Sequence, residues 1–146
     1  MTPEPLHFRR LRWWSLVICI PLLAGAAHLH LPSFWGGFIG DSAVYYAMAD
    51  SLAHDGDLRY TREDLLRIRS EWPDGPQGVL LVADRTDPDI IHYAKPFLYS
   101  LAAAPLVRFL GANGLLLFNA FCFAAIVFMG FHAFPDRERQ QPYAPI

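Results

Sequence analysis

Between Leu115 and Phe134 the chain runs for 20 residues, LLLFNAFCFAAIVFMGFHAF, without Asp, Glu, Lys or Arg. A helix of that length rises about 30 Å, which matches the hydrocarbon core of a bilayer. The segment is read as a transmembrane helix, and every other element has to be arranged around it. A second charge-free run of 19 residues, WWSLVICIPLLAGAAHLHL from Trp13 to Leu31, is read as another span. Pro21 is expected to kink it, and His28 and His30 make its far end more polar. Composition agrees, because 53% hydrophobic and 18% charged residues favour lipid over an ordinary soluble core.

The flanks set the orientation. Arg9, Arg10 and Arg12 precede the first span, and Arg137 and Arg139 follow the last, so both ends are expected in the cytoplasm. Trp13 and Trp14 at one end, and Phe34 and Trp35 at the other, suit the two headgroup regions. Residues 1–26 also fit a secretory signal peptide, with basic residues, an apolar stretch and the small run Ala24, Gly25, Ala26; that alternative leaves the loop on the same side. The apolar segment Phe97 to Leu110 is too short for a standard span and contains Pro105 and Arg108. It reads as a short helix ending at Gly111 on the outer membrane surface, with Arg108 snorkelling, whereas a full crossing would turn the C-terminus outward. The expected fold is mainly α and integral to the membrane. Its order is a cytoplasmic N-terminus (1–12), a transmembrane helix (13–31), an extracytoplasmic loop (32–96), an interfacial or re-entrant helix (97–110), a second transmembrane helix (115–134) and a cytoplasmic tail (135–146).

The outer loop has its own order. Asp41 to Ala53 reads as a helix, with Asp41 favouring its start and Val44, Met48 and Leu52 at helical spacing. After the turn His54, Asp55, Gly56, Asp57, a second helix is capped by Thr61, carries Glu63 and Asp64 in its first turn, and stops near Trp72 before Pro73, Gly75 and Pro76. Val79 to Ala83 and Ile90 to Tyr93 suit a small β-hairpin, which is marginal alone and must rest on another element. A formal net charge of −2 provides no basic field for nucleic acid. Cys19 and Cys122 lie in apolar segments, where a thiol packs as a small hydrophobe. His28, His30 and His132 lack zinc-ligand spacing, so no structural metal is expected.

The stretch GDSAVYYAMADSLAHDGDL, from Gly40 to Leu58, resembles the first extracytoplasmic loop of GT-C glycosyltransferases, in which an Asp just after the first span opens an aromatic-rich helix. HYAKPFLYSLAAAPLVRFLGANGLLLFNAFCFAA is similar to that family's passage from a Lys-Pro or Tyr-Pro segment through a short outer helix and Gly into the second span. The resemblance covers roughly Trp13 to Phe134. It implies an N-terminal portion of a hexosyl- or pentosyltransferase that moves a sugar from a polyprenyl-phosphate donor to an acceptor at the outer face of a bacterial inner (cytoplasmic) membrane. Some members use a divalent cation.

Such chemistry needs a carboxylate for the acceptor nucleophile and positive charge for the donor phosphate. The resemblance assigns the first role to Asp41, which also suits a helix cap. It assigns the second to Lys95, before Pro96, which also suits an interfacial anchor. Arg108 reads as an anchor, Asp55 and Asp57 as turn residues, His92 and Tyr93 as strand residues, and Tyr45 and Tyr46 as packing residues rather than sugar platforms. Two spans and a short outer layer hardly enclose a polyprenyl phosphate and an acceptor together, so further membrane segments or a partner subunit are expected, with little activity from this stretch alone. The alternative is a small non-catalytic membrane protein acting as a subunit or assembly factor.

Overall fold

The computed structural model describes residues 6–29, 31 and 38–133. Along the chain the elements are α1 (Leu6–His28), β1 (Phe38–Ile39), α2 (Asp41–His54), α3 (Arg62–Glu71), β2 (Pro76–Gln77), β3 (Leu81–Ala83), β4 (Ile91–Tyr93), α4 (Leu98–Leu110) and α5 (Ala112–Ala133). The fold is mainly helical. Phe34, Trp35, His30, Arg137, Arg139 and the tail 135–146 lie outside the described residues.

α5 realises the apolar run, beginning three residues before Leu115 because the turn at Gly111 already closes the preceding helix. Within it Ala112–Gly130 is, among the described residues, the stretch long and apolar enough to cross a membrane. Only 17% of its most apolar window is buried in the protein, and Phe121, Phe123, Ile126, Phe128 and Met129 face outward. A core helix of a soluble protein would hide such a surface. α1 departs from the boundaries 13 and 31, since it starts at Leu6, passes through the arginine positions and ends at His28. Its charge-free part, Trp13–His28, is shorter than the roughly 17–25 residues of a usual span.

α1 packs along α5, and Asn113 donates to the Ala27 carbonyl at 3.3 Å, so the end of α1 meets the start of α5 and the two run antiparallel. Their buried positions are small: Cys19 and Ala26 on α1, Ala120 on α5. Small side chains let helix backbones approach without a hydrophobic driving force. Cys19 is packed as expected, whereas Cys122 faces outward, and both are free thiols.

The polar layer sits at the α1–α5 junction. α2 lies on α4, and Ser100, fully buried, donates to the Tyr45 carbonyl at 2.9 Å and fixes the register of that contact. Val44, Met48, Ile68 and Val107 are almost completely covered, each contributing about 1.5–3 kcal/mol from burial. α3 opens on a reciprocal capping box, with Asp64 N–H on the Thr61 hydroxyl and Thr61 N–H on the Asp64 carboxylate. The β3–β4 hairpin is antiparallel, with Leu81 opposite Tyr93, and is shorter by two residues at the start of β3 and one at the start of β4 than expected. It rests on Leu58 to Tyr60: Tyr60 N–H donates to Ile91 at 2.8 Å and Arg59 bridges His92.

The β1–β2 pair has no counterpart in the sequence reading. Phe38 and Ile39 pair in parallel with Pro76 and Gln77, in the stretch where prolines and glycines indicated only a helix stop. Two residues per strand leave too little alternation for a periodic signal. The pair matters because it carries the chain into α2.

Candidate functional site

Asp41 is delivered by that short pair. Gly40 N–H donates to the Gln77 carbonyl at 2.8 Å, and Gly40 adopts φ 68°, a left-handed conformation that L side chains rarely adopt. Gly40 is the N-cap of α2 and provides no side-chain cap, so Asp41 stands in the first helical turn with a side chain 68% exposed. The carboxylate is not spent on capping; it projects outward at a helix N-terminus, where negative charge is favoured.

Lys95 arrives from the other side. Tyr93 is buried in the core, Ala94 N–H donates to the Leu80 carbonyl at 3.0 Å, and α4 starts at Leu98, so Lys95 is held between the hairpin and the helix paired with α2. Its Nζ lies 2.9 Å from Asp41 Oδ1. The two residues to which the resemblance gives separate roles are thus in contact. The Asp41 hydrogen bond raises the Lys95 pKa above its ordinary value, with a further contribution from Tyr45, so the ammonium remains charged at neutral pH. Such an exposed ion pair adds little stability. What distinguishes it is its position.

A cavity of about 550 Å³ opens beside the pair, between the polar layer and the first turns of α5. Ser42 and Tyr45, on the same helix as Asp41, line it. Two aromatic pairs contribute, Phe38 stacked on Trp72 at 4.6 Å and Tyr45 edge-on to Tyr99 at 5.3 Å. Leu116 and Asn119 bring in the α5 face, and Asn119 accepts a hydrogen bond from Tyr99 at 3.0 Å. The Trp72 indole N–H is buried and has no hydrogen-bond partner among the described residues. The sequence offered one sign of this cavity: Asn119 interrupts an otherwise apolar run. Trp72 and Phe38 gave none, because their stacking depends on the β1–β2 pair.

Glu71 is a further residue that the sequence did not mark. It accepts a hydrogen bond from Ala112 N–H at 3.0 Å, capping α5, and another from Tyr46, whose pKa is raised by burial and by the Glu71 charge. This ties α2 and α3 to the start of α5, where Ala112 and Leu115 line the cavity.

The other candidates have structural partners. Arg108 donates to the Ala53 carbonyl at the end of α2, so its guanidinium holds α4 to α2 and is not extended as a free anchor. Asp55 pairs with Arg67, which also binds Asp50 at 2.8 Å and Asp64 at 2.5 Å. Asp57 accepts from Arg59 N–H at 2.9 Å as turn chemistry. His92 and Tyr93 are strand residues, and His92 lies 3.5 Å from Asp84. Tyr46 packs in the core, while Tyr45 combines packing with a place in the cavity wall. Among the described residues no group of three or more His, Cys, Asp and Glu is disposed to hold a metal ion.

Comparison with protein-family models, with curated proteins and with solved structures gives no match.

Proposed function

We propose that this chain forms the outer-face site of a GT-C-type membrane glycosyltransferase that takes a sugar from a polyprenyl-phosphate donor. The observation that carries the reading is the 2.9 Å Asp41–Lys95 pair at the edge of an apolar cavity that reaches the membrane helix. A lipid phosphate needs both halves of that arrangement: a cation for its head and an apolar route for its chain. In this reading α1 is a second span beside α5, and the polar layer lies on the outer face of a bacterial inner membrane.

Lys95 exchanges its carboxylate partner for the donor phosphate. Asp41, released from that partner, accepts the proton of the acceptor hydroxyl as its oxygen bonds to the anomeric carbon. The bond from that carbon to the phosphate oxygen breaks, and the lipid phosphate leaves with its negative charge held by the Lys95 ammonium. Asp41 is open on its outer side, so the remaining walls around the acceptor come from further membrane segments or a partner subunit.

The test is equilibrium binding of decaprenyl phosphate to the chain in nanodiscs of neutral lipid. Lys95→Ala is expected to weaken binding at least tenfold, whereas Asp41→Asn, which frees the ammonium, is expected to retain or tighten it. In a transfer assay with the partner segments present, Asp41→Asn lowers kcat with little change in KM for the lipid. Absence of binding by the native chain, or equal binding by Lys95→Ala, refutes the proposal.

A further inference from the structure

β3 forms the open edge of a small sheet. Ala94 N–H donates to the Leu80 carbonyl at 3.0 Å and Asp84 N–H to the Ile90 carbonyl at 2.8 Å, with Val82 opposite His92 between them. Hydrogen-bonded pairs alternate along an antiparallel ladder, so residues 80, 82 and 84 turn their backbone groups towards β4, and Leu81 and Ala83 turn theirs away. β4 is paired on its other side as well: Tyr60 N–H donates to the Ile91 carbonyl at 2.8 Å, and Tyr93 N–H to the Leu58 carbonyl at 3.4 Å. β3 has no such second neighbour. Among the described residues no backbone group meets the outward N–H and C=O groups of Leu81 and Ala83.

Sheet edges are commonly guarded by lysine or proline. Gln77 to Ala83 contains neither, and Leu80 and Val82 are 51% and 52% exposed. Just beyond, the loop Asp84 to Asp89 carries three carboxylates against the single cation of Arg85. Lipid does not suit this edge, because unpaired backbone groups are costly in hydrocarbon and the carboxylates stand beside them. A second copy of β3 would satisfy the backbone, but the residues that precede it, Gln77 to Leu80, bring no cation to the acidic loop. The cover that answers hydrogen bonds, apolar side chains and charge together is a polypeptide strand with a basic end.

We infer that the β3 edge takes an extended segment of a partner polypeptide, added antiparallel, with alternating apolar residues along Leu81 to Ala83 and a lysine or arginine before them, beside the acidic loop. Strand addition of this kind draws affinity from main-chain bonds and selectivity from the flanking side chains. Leu81 and Ala83 exchange four hydrogen bonds with the incoming strand. Binding there does not depend on sugar transfer at Asp41 and Lys95.

The probe is the synthetic peptide Lys-Lys-Val-Thr-Val-Thr-Val, titrated into the full chain in detergent micelles, with amide hydrogen exchange read by NMR. Without peptide, the Val82 amide is expected to exchange slowly and those of Leu81 and Ala83 fast. Millimolar peptide is expected to slow Leu81 and Ala83 about tenfold and to leave Val82 unchanged. Replacing the two lysines of the peptide by glutamates weakens binding about fivefold. N-methylation of alternate peptide residues abolishes binding in one set and spares it in the other. Ala83→Pro, which removes an outward N–H and leaves the β4 ladder intact, weakens binding about threefold; should that variant misfold, the N-methylated peptides decide. Unchanged exchange at Leu81 and Ala83 overturns the inference, as does equal binding by the two N-methylated sets. Slowing that appears with rising chain concentration and no peptide gives the edge to a second copy and overturns it too.

Discussion

Gly114 is the point at which the polar layer and α5 are forced into one geometry, and replacing it by alanine is the sharpest test of that geometry. A Cβ built at position 114 would lie 2.4 Å from the Val107 nitrogen, 2.5 Å from the Leu106 carbonyl carbon and 2.6 Å from the Val107 Cα. All three are backbone atoms of α4, so no rotamer change relieves the contact. Carbon atoms rest about 3.5–4.0 Å apart, so α4 and α5 must separate by about 1 Å, and a gap of that size forfeits roughly a quarter to a half of the dispersion energy along the seam. Overpacking a tight site typically costs about 1–3 kcal/mol, and a backbone clash belongs at the top of that range. For a chain of this size that lowers Tm by about 10 °C. The assay is thermal unfolding in detergent, followed by tryptophan fluorescence. Gly130→Ala on the same helix serves as the control, because nothing lies within 4 Å of its added Cβ, and its Tm should hold or rise slightly given the better helix propensity of alanine. Equal Tm values for Gly114→Ala and Gly130→Ala refute the close α4–α5 approach.

Glu71→Ala removes the acceptor of both Tyr46 and the Ala112 N–H, leaving a buried hydroxyl unpaired and α5 uncapped; a loss of about 3 kcal/mol is expected in unfolding measurements, with a smaller loss for Glu71→Gln. An alanine variant as stable as the native chain argues against the clasp. The Asp84 carboxyl is pulled down to about 2 from an ordinary 3.8 by hydrogen bonds from the Thr86 hydroxyl and N–H and the Asp87 N–H. Because the folded value lies below the unfolded one, its support for the hairpin loop is full above pH about 4 and disappears as pH falls through about 2. NMR titration should place the Asp84 midpoint near 2, and a midpoint near 3.8 would remove that loop network.

Helices were legible wherever local signals and burial agreed. Thr61 and Asp64 announce α3 because a capping box is closed within four residues, and Asp41 to His54 carries Val44, Met48 and Leu52 at helical spacing with no Pro or Gly. The charge-free run from Trp13 to Leu31 and the helix Leu6–His28 do not coincide because freedom from charge marks where lipid is tolerated, whereas helix formation continues through Arg9, Arg10 and Arg12, which are good helix formers. The β1–β2 pair was invisible because its stability is borrowed from Phe38 stacking on Trp72 and from Gly40 bonding to Gln77, contacts between distant parts of the chain. For the same reason sequence pointed to Asp41 and Lys95 separately and left only Asn119 as a sign of the cavity, whose walls come from six different parts of the chain.

Position also explains why the pair can respond to a ligand. Asp41 is fixed by backbone, through Gly40, β2 and the first turn of α2, whereas Lys95 holds the carboxylate only at the end of a flexible four-carbon stem. An incoming phosphate therefore moves the lysine and leaves the carboxylate in place. The raised Lys95 pKa means that no proton is released in this exchange at neutral pH; one anion replaces another around a constant cation. Because a phosphate monoester carries more charge than a carboxylate, the exchange with a free polyprenyl phosphate is driven by electrostatics at the cavity edge, and salt screens it. Binding of a phosphate lipid should weaken as ionic strength rises, yet retain a salt-resistant part contributed by the apolar chain. A Lys95→Ala variant should keep only that second part, so that its affinity becomes nearly independent of salt. Identical salt dependence in the native chain and Lys95→Ala would mean that the phosphate is held elsewhere.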